Sequence, residues 1–349
     1  MDYHQAAREW EQGVFRPVYV LYGTETFIMG EWIEMLIGMC VDADAKDFAF
    51  SRYDLTENPI ESALEDAMMM PFLASRKLVL ASSAYFLTGA KDPSKVEHRI
   101  DALQDYLKEP AGHSVLVLTV PSDKLDERKK ITKAVKQSAA VLQFGPLGTA
   151  ELQQWIRKKA ASLEAVVEPA ATAVLIERVG TDCAALASEL DKLSSYVGKG
   201  GSIGREHVIE LTARTLEQNV FLLMDQIAAL RPERALNILH DLLKEKEEPI
   251  KLLMLIARQF RLMLGTKEML NQGFSQGQIA GKLGVPPFAV KKAGDQARQF
   301  SAEMLSRKLV ELAELDYAMK TGAVDKGFAL ELFILRLGAA AGKSVPGLV

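Results

Sequence analysis

The stretch Arg16–Leu36, RPVYVLYGTETFIMGEWIEML, has the outline of a nucleotide-binding turn. Pro17–Tyr22 is a β-rich apolar run stopped by Gly23, and Phe27, Ile28, Trp32, Ile33 and Leu36 then recur at helical spacing. A working phosphate loop reads G-x-x-x-x-G-K-[ST]. Its bare backbone N–H groups wrap the phosphates, its lysine reaches the outer ones and its hydroxyl holds magnesium. Counting from Gly23, Ile28 stands at the second glycine, Met29 at the lysine and Gly30 at the Ser/Thr. Three chemical requirements fail together, so the chain is expected to hold no nucleotide cofactor and to hydrolyse no ATP by itself. Gly23 alone fits an ordinary strand-to-helix turn equally well.

Other chemistries are missing in the same way. Magnesium and water activation need an acidic residue directly after a buried strand. Lys77–Ala81 is followed by Ser82-Ser83-Ala84, and Ser114–Val120 by Pro121-Ser122-Asp123. No G-x-S-x-G elbow offers a nucleophile. Cys40 and Cys183 are isolated and read as small core residues in a reducing compartment. His4, His98, His113, His207 and His240 show no ligand spacing, and no metal is assigned. With 349 residues, 48% of them hydrophobic and 25% charged, the chain has room for two or three cored domains. No run approaches the ~20 apolar residues that span a bilayer, and the first residues lack the apolar core of a signal peptide. A cytoplasmic protein without a membrane partner is expected. A net charge of −4 argues against duplex DNA as the main partner, because that affinity comes mostly from neutralised phosphates. Lys129, Lys130, Lys133 and Lys136 nevertheless recur at about one-turn intervals, either as a solvated face or as a local phosphate-facing one.

The elements that would position these residues alternate in the first part. Strands are predicted over Pro17–Tyr22, Ala49–Leu55, Lys77–Ala81, Ser114–Val120 and Ala140–Phe144, with helices over Pro59–Met68, Lys95–Lys108 and Leu125–Lys136 between them. That alternation predicts a parallel sheet covered on both faces. Gly145–Thr149 reads as a hinge with Thr149 as an N-cap. Beyond it the strand signals nearly stop. Helices are predicted over Leu152–Leu163, Pro169–Val179 and Asp182–Tyr196, the last with Leu186, Leu190, Leu193 and Tyr196 on one face. From about Leu216 a train of helices follows: Asn219–Leu230, Pro232–Lys246, Pro249–Gln272, Ser275–Leu283, Pro287–Gln299, Ala302–Met319 and Lys326–Ala340. Ala341–Val349 is a tail. The fold class is therefore α/β plus all-α, divided as 1–144, 145–212 and 213–349.

Two segments carry recognition chemistry. In Ala67–Arg76, AMMMPFLASR, three methionines end a helix and Pro71 forbids its continuation, leaving Phe72 and Leu73 in the connection to the next strand. Such residues either anchor a partner or pack beneath the sheet. Ser275–Lys292, SQGQIAGKLGVPPFAVKK, has the pattern of a helix-turn-helix, with Ile279-Ala280 and Leu283, a Gly284-Val285 turn and Val290. Its second helix opens on Pro286-Pro287-Phe288-Ala289, which offers base edges no side-chain donor or acceptor. Packing within a helical domain accounts for the pattern; a helix-turn-helix regulator with an α/β sensor domain is the alternative.

In order, VLYGTETFI at Val20–Ile28, PFLASRKLVL at Pro71–Leu80, LVLTVPSDKLDERKK at Leu116–Lys130, ELDKL at Glu189–Leu193, QFRLML at Gln259–Leu264 and D-x-x-x-K-x-G at Asp316–Gly322 resemble the bacterial DNA polymerase III delta subunit family. The resemblance covers nearly the whole chain. It implies an ATPase-like (AAA+-type) α/β domain without a functional ATP site, the degenerate loop lying at Gly23, Met29 and Gly30. It also implies a small helical lid domain and an all-α collar domain. The implied role is the non-enzymatic clamp-loader subunit of the replicative polymerase holoenzyme, which binds and opens the sliding clamp (beta subunit) for ATP-dependent loading on primed DNA. Implied partners are the tau/gamma motor subunits and delta-prime, in a cytoplasmic, nucleoid-associated assembly. Carried onto this sequence, the clamp-binding residues are Met70, Phe72 and Leu73, with Phe-Leu where some relatives carry Leu-Phe. Candidate DNA-facing residues within the assembly are Lys129, Lys130, Lys133, Lys291 and Lys292.

Overall fold

Continuous apolar runs become strands buried on both faces when the sheet is parallel. In the computed structural model, which describes residues 3–71, 74–229 and 231–341, five such strands form one sheet. They are β1 (Val18–Gly23), β2 (Phe50–Asp54), β3 (Lys77–Ser82), β4 (Ser114–Val120) and β5 (Ala140–Phe144), in the order β2-β3-β4-β1-β5, all parallel. Val20 on β1 lies between Leu118 and Val141. The helices of this part are α1 (Tyr3–Glu11), α2 (Thr26–Cys40), the single turn α3 (Lys46–Ala49), α4 (Ile60–Met68), α5 (Ile100–Lys108) and α6 (Lys130–Ser138).

Strand alternation sorts the side chains. Val18 and Val20, with Val79, Leu116 and Leu118, pack against Ile60, Leu64, Leu103, Leu107 and Val135 of α4, α5 and α6. Tyr19 points the other way, into an aromatic group built by α1 and α2. Trp32 lies 4.4 Å from Trp10, 5.4 Å from Tyr19 and 6.0 Å from Phe144, ring centre to ring centre. The Tyr19 hydroxyl accepts hydrogen bonds from Trp10 Nε1 and from the Arg16 backbone N–H, both 2.9 Å. Burial raises its pKa above the ordinary tyrosine value. Arg16 grips the Glu9 carboxylate through Nε and an Nη at 3.0 and 2.9 Å, and this holds Glu9 below its usual pKa. Helix α1 is absent from the sequence expectations. Its buried apolar residues are few, notably Ala6 and Trp10, and the indole and the Glu9 pair fix it to the sheet rather than a full stripe.

Two helices start later than their apolar spacing predicts. Residues 95–99 are irregular and α5 opens at Ile100. Before α6, the Asp126 carboxylate accepts from the backbone and guanidinium of Arg128, and the Asp126 N–H donates to Leu87, so the chain turns there and becomes helical at Lys130. The guanidinium beside it holds the Asp126 carboxyl down to about 2.

The chain separates into two compact units, Met1–Pro146 and Leu147–Val349. The second opens with α7 (Thr149–Ser162), α8 (Pro169–Val179), α9 (Cys183–Val197) and α10 (Arg205–Leu211). Gly148, not Thr149, is the N-cap of α7, because Glu151 reaches back to accept its N–H at 2.8 Å. Asp182 caps α9 through Ala185 N–H. A parallel pair, β6 (Val166–Val167) and β7 (Ser202–Ile203), is too short to show alternation in sequence. Tyr196 is exposed, and its ring leans on His207 instead of the core.

Seven further helices follow: α11 (Leu216–Ala228), α12 (Pro232–Lys244), α13 (Pro249–Asn271), α14 (Gln276–Leu283), α15 (Pro287–Ala297), α16 (Ala302–Thr321) and α17 (Lys326–Ala341). Pro232 and Pro249 stand at first-turn positions, and left-handed Gly284 and Gly322 end α14 and α16. Phe260 of α13 meets Phe300 and Phe333 at the centre of this core. Among the described residues no helix is long and apolar enough to cross a membrane, and no group of three or more His, Cys, Asp or Glu could hold a metal.

Replacing Tyr19 with Phe leaves the Trp10 and Arg16 N–H groups without their shared acceptor, so urea unfolding should show a loss of about 1–3 kcal/mol.

Candidate functional site

The end of β1 is where the sequence outlines a phosphate loop, and there the chain packs tightly against β5. Gly23 has φ +140°, and a Cβ there would lie 1.9 Å from the Phe144 carbonyl oxygen. The glycine is required because β5 passes against it, not because a ligand does. The same oxygen accepts the N–H of Glu25 at 3.0 Å, so β5 takes up a turn donor. Helix α2 then begins with Glu25 as its N-cap, placing a carboxylate at the positive helix end that would otherwise attract an anion. Ile28 and Met29 are 7% and 6% exposed and belong to the core, while Gly30 has open space around its Cα.

The turn after α4 has the opposite character: its base is fixed and its apolar side chains face outward. Ala67 is fully buried and its carbonyl accepts the Ser114 hydroxyl of β4. Lys77, the buried first residue of β3, pairs with Asp66. The Tyr53 phenol, lifted in pKa first by burial and then by the Asp66 charge, lies close by. Met69 N–H closes the last turn onto Glu65 and Asp66 at 3.2 Å. Beyond this base Met68, Met69 and Met70 are 63%, 59% and 75% exposed. Phe72 and Leu73 lie outside the described residues. On the return, the Arg76 guanidinium covers the Phe15 ring at 4.6 Å. Sequence reasoning missed the Asp66–Lys77 pair; a lysine opening a strand resembles a solvent residue, and only the helix-to-strand return brings its partner near.

The five lysines separate into two groups. Lys129 Nζ donates to the carbonyls of Phe86 and Thr88 at 3.0 and 2.6 Å, and Lys292 pairs with Asp225 at 3.2 Å beside the Phe221 ring. Both ammonium groups are engaged inside the fold. Lys130, Lys133 and Lys291 face solvent. Lys136, on the same side of α6, pairs with Glu127.

Helices α14 and α15 do form a helix-turn-helix around left-handed Gly284, with Ile279, Ala280 and Val290 as its small core. Helix α15 buries Val290, Ala293, Gln296 and Ala297, and Phe288 in its first turn lines a cleft together with Val285 and Leu262. It presents no polar side chain at the position where a recognition helix reads bases.

Two family models match the chain. One, described as DNA polymerase III, delta subunit, covers residues 19–145; the other, DNA polymerase III delta subunit, C-terminal domain, covers residues 217–337. The chain is 42% identical over 327 residues to DNA polymerase III subunit delta of Bacillus subtilis (strain 168), spanning 94% of each. Among solved structures it is similar to the Bacillus subtilis DNA clamp loader delta protein, with a TM-score of 0.75 and 41% identity, over 97% of this chain and 99% of that one.

The degenerate loop yields a direct test. Titration with magnesium-ATP should give no binding isotherm in calorimetry. Restoring the motif lysine with Met29→Lys should still give none and should lower stability by roughly 2 kcal/mol or more, because an ammonium would be buried without a partner.

Proposed function

The chain belongs to the DNA polymerase III delta subunit family, and from that premise we propose that it binds the ring-shaped sliding clamp and opens it for loading on primed DNA. It is an accessory clamp-loader subunit and carries out no catalysis itself. The observation that carries the clamp contact is the α4–β3 turn, where a base tied down by Asp66–Lys77 and Ser114–Ala67 holds Met68, Met69 and Met70 exposed, ahead of Pro71, Phe72 and Leu73 in the sequence. Fixed apolar anchors bind well because little ordering remains to be done on contact. Opening the ring then needs no force from this chain. A subunit that fits the open clamp better than the closed one shifts that equilibrium by its difference in affinity.

The motor subunits (tau/gamma) and delta-prime are the proposed neighbours. Residues 1–144 act as the ATPase-like clamp-binding domain, 145–212 as a lid and 213–349 as an oligomerising collar. A compact unit ending at Pro146 supports the first of these boundaries. Primed DNA is met within the assembly, in the cytoplasm at the nucleoid. Lys130, Lys133 and Lys291 are the residues of this chain best suited to face it, since their ammonium groups point to solvent.

Two measurements test this reading. Purified chain should capture purified clamp with or without ATP. Changing Phe72 and Leu73 together to alanine should leave melting nearly unaltered while weakening clamp binding by at least about a hundredfold, ~2.7 kcal/mol. Early melting with normal binding by the folded fraction would instead assign the pair to the core. The isolated chain should also fail to bind duplex DNA below micromolar concentration at physiological salt; submicromolar binding would contradict a DNA contact shared across the assembly.

A further inference from the structure

The second unit contains a cleft of about 840 Å³ to which the clamp-loading role assigns nothing. Its walls are the α8–α9 turn, the first turn of α11, the middle of α13 and the α14–α15 turn, and its floor is apolar, formed by Val220, Leu255, Leu262 and Phe288. Three helices, α9, α11 and α15, begin at it and turn their positive ends toward it. On one rim Arg258 and Arg261, one turn apart on α13, are exposed and have no ion-pair partner among the described residues. Of the two carboxylates at the cleft, Asp182 is engaged by Ala185 N–H at 2.8 Å, and Glu217 sits in the first turn of α11, whose positive end offsets it.

The decisive group is Gln218. It is 7% exposed and lines the cleft, and its carboxamide has no hydrogen-bond partner among the described residues. The other two buried glutamines of this unit are paired: Gln259 donates to Gln296, which donates to Asp225 and to the Phe221 carbonyl. The Gln218 carboxamide is not sealed from solvent and is open to a group entering the cleft. Room is also kept beside it. Gly180 ends α8 at φ +95°, and a Cβ there would stand 3.0 Å from Gln218 Nε2.

We propose that this cleft is a docking site for an extended acidic peptide segment of a partner protein. A leucine or phenylalanine of the segment enters the apolar floor, a neighbouring carboxylate meets Arg258 and Arg261, and the Gln218 carboxamide pairs with one peptide unit of the segment. The glutamine distinguishes a peptide from nucleic-acid backbone. A peptide unit supplies both an acceptor and a donor to the carboxamide, whereas phosphate oxygens would satisfy Nε2 and leave Oε1 unpaired. The volume falls in the usual range of ligand clefts, and mostly apolar walls with a few convergent polar groups are their usual lining.

The test uses the full chain and fluorescein-labelled short peptides in which one leucine or phenylalanine is flanked by Asp and Glu. Matched peptides carry lysine in place of every acid, and a single-stranded oligonucleotide serves as the nucleic-acid probe. Fluorescence anisotropy should show the acidic set binding at least roughly tenfold more tightly than the lysine set, with the preference reversed in Arg258→Glu/Arg261→Glu. Gln218→Leu should weaken the acidic peptides while leaving the melting temperature unchanged, a combination that mere structural damage would not give. Equal binding of both peptide sets, binding of neither, or loss of oligonucleotide binding alone in the double arginine variant would overturn the proposal.

Discussion

At the end of strand β1, the Phe144 carbonyl oxygen occupies the space where residue 23 would carry a Cβ, and the character of the first unit follows from that contact. It makes glycine obligatory at 23, draws the Glu25 N–H onto β5 and sets α2 directly on the aromatic group of Trp10, Tyr19 and Trp32. A phosphate loop needs empty space bounded by free N–H groups. Here the glycine packs on β5, a donor is used and the helix opens on a carboxylate.

Such a unit can act through its loops, which the sheet holds in place. The turn after α4 illustrates how. A buried ion pair rarely adds much net stability, but it fixes geometry when its partners come from different elements. Asp66 lies in the last turn of a helix and Lys77 starts the next strand, so the pair spans the connection and sets its two ends. The second unit works differently, with helices packed around Phe260, Phe300 and Phe333 and polar pairs such as Gln259–Gln296 buried among them.

Much of this was legible in the sequence because it is periodic. The strands Ser114–Val120 and Ala140–Phe144 match their apolar runs residue for residue, and the failure of the phosphate motif at Met29 was readable from residue types alone. The misses share a cause: the determining contact is distant in sequence or irregular in geometry. Helix α1 depends on an indole reaching Tyr19, and α6 is delayed by an Asp126–Arg128 turn that looks like helix on apolar spacing. The β6–β7 pair is too short for any period to show. Lys129 and Lys292 both read as candidate DNA-facing cations; their partners, two carbonyls at residues 86 and 88 and Asp225, could not be foreseen from charge spacing.

The fixed base of the α4–β3 turn also bears on the kinetics of any encounter there. The backbone through Ala67 and Met69 loses its freedom once, when the protein folds, and not again on each contact. What is left to order at the exposed positions is side-chain rotamers, about 0.5–1.5 kcal/mol for each immobilised one. Unbranched thioethers settle onto uneven surfaces by torsion alone. Such a surface can engage a partner without a preceding rearrangement, so differences in affinity among its variants should be expressed mainly in how long the complex lasts and little in how fast it forms.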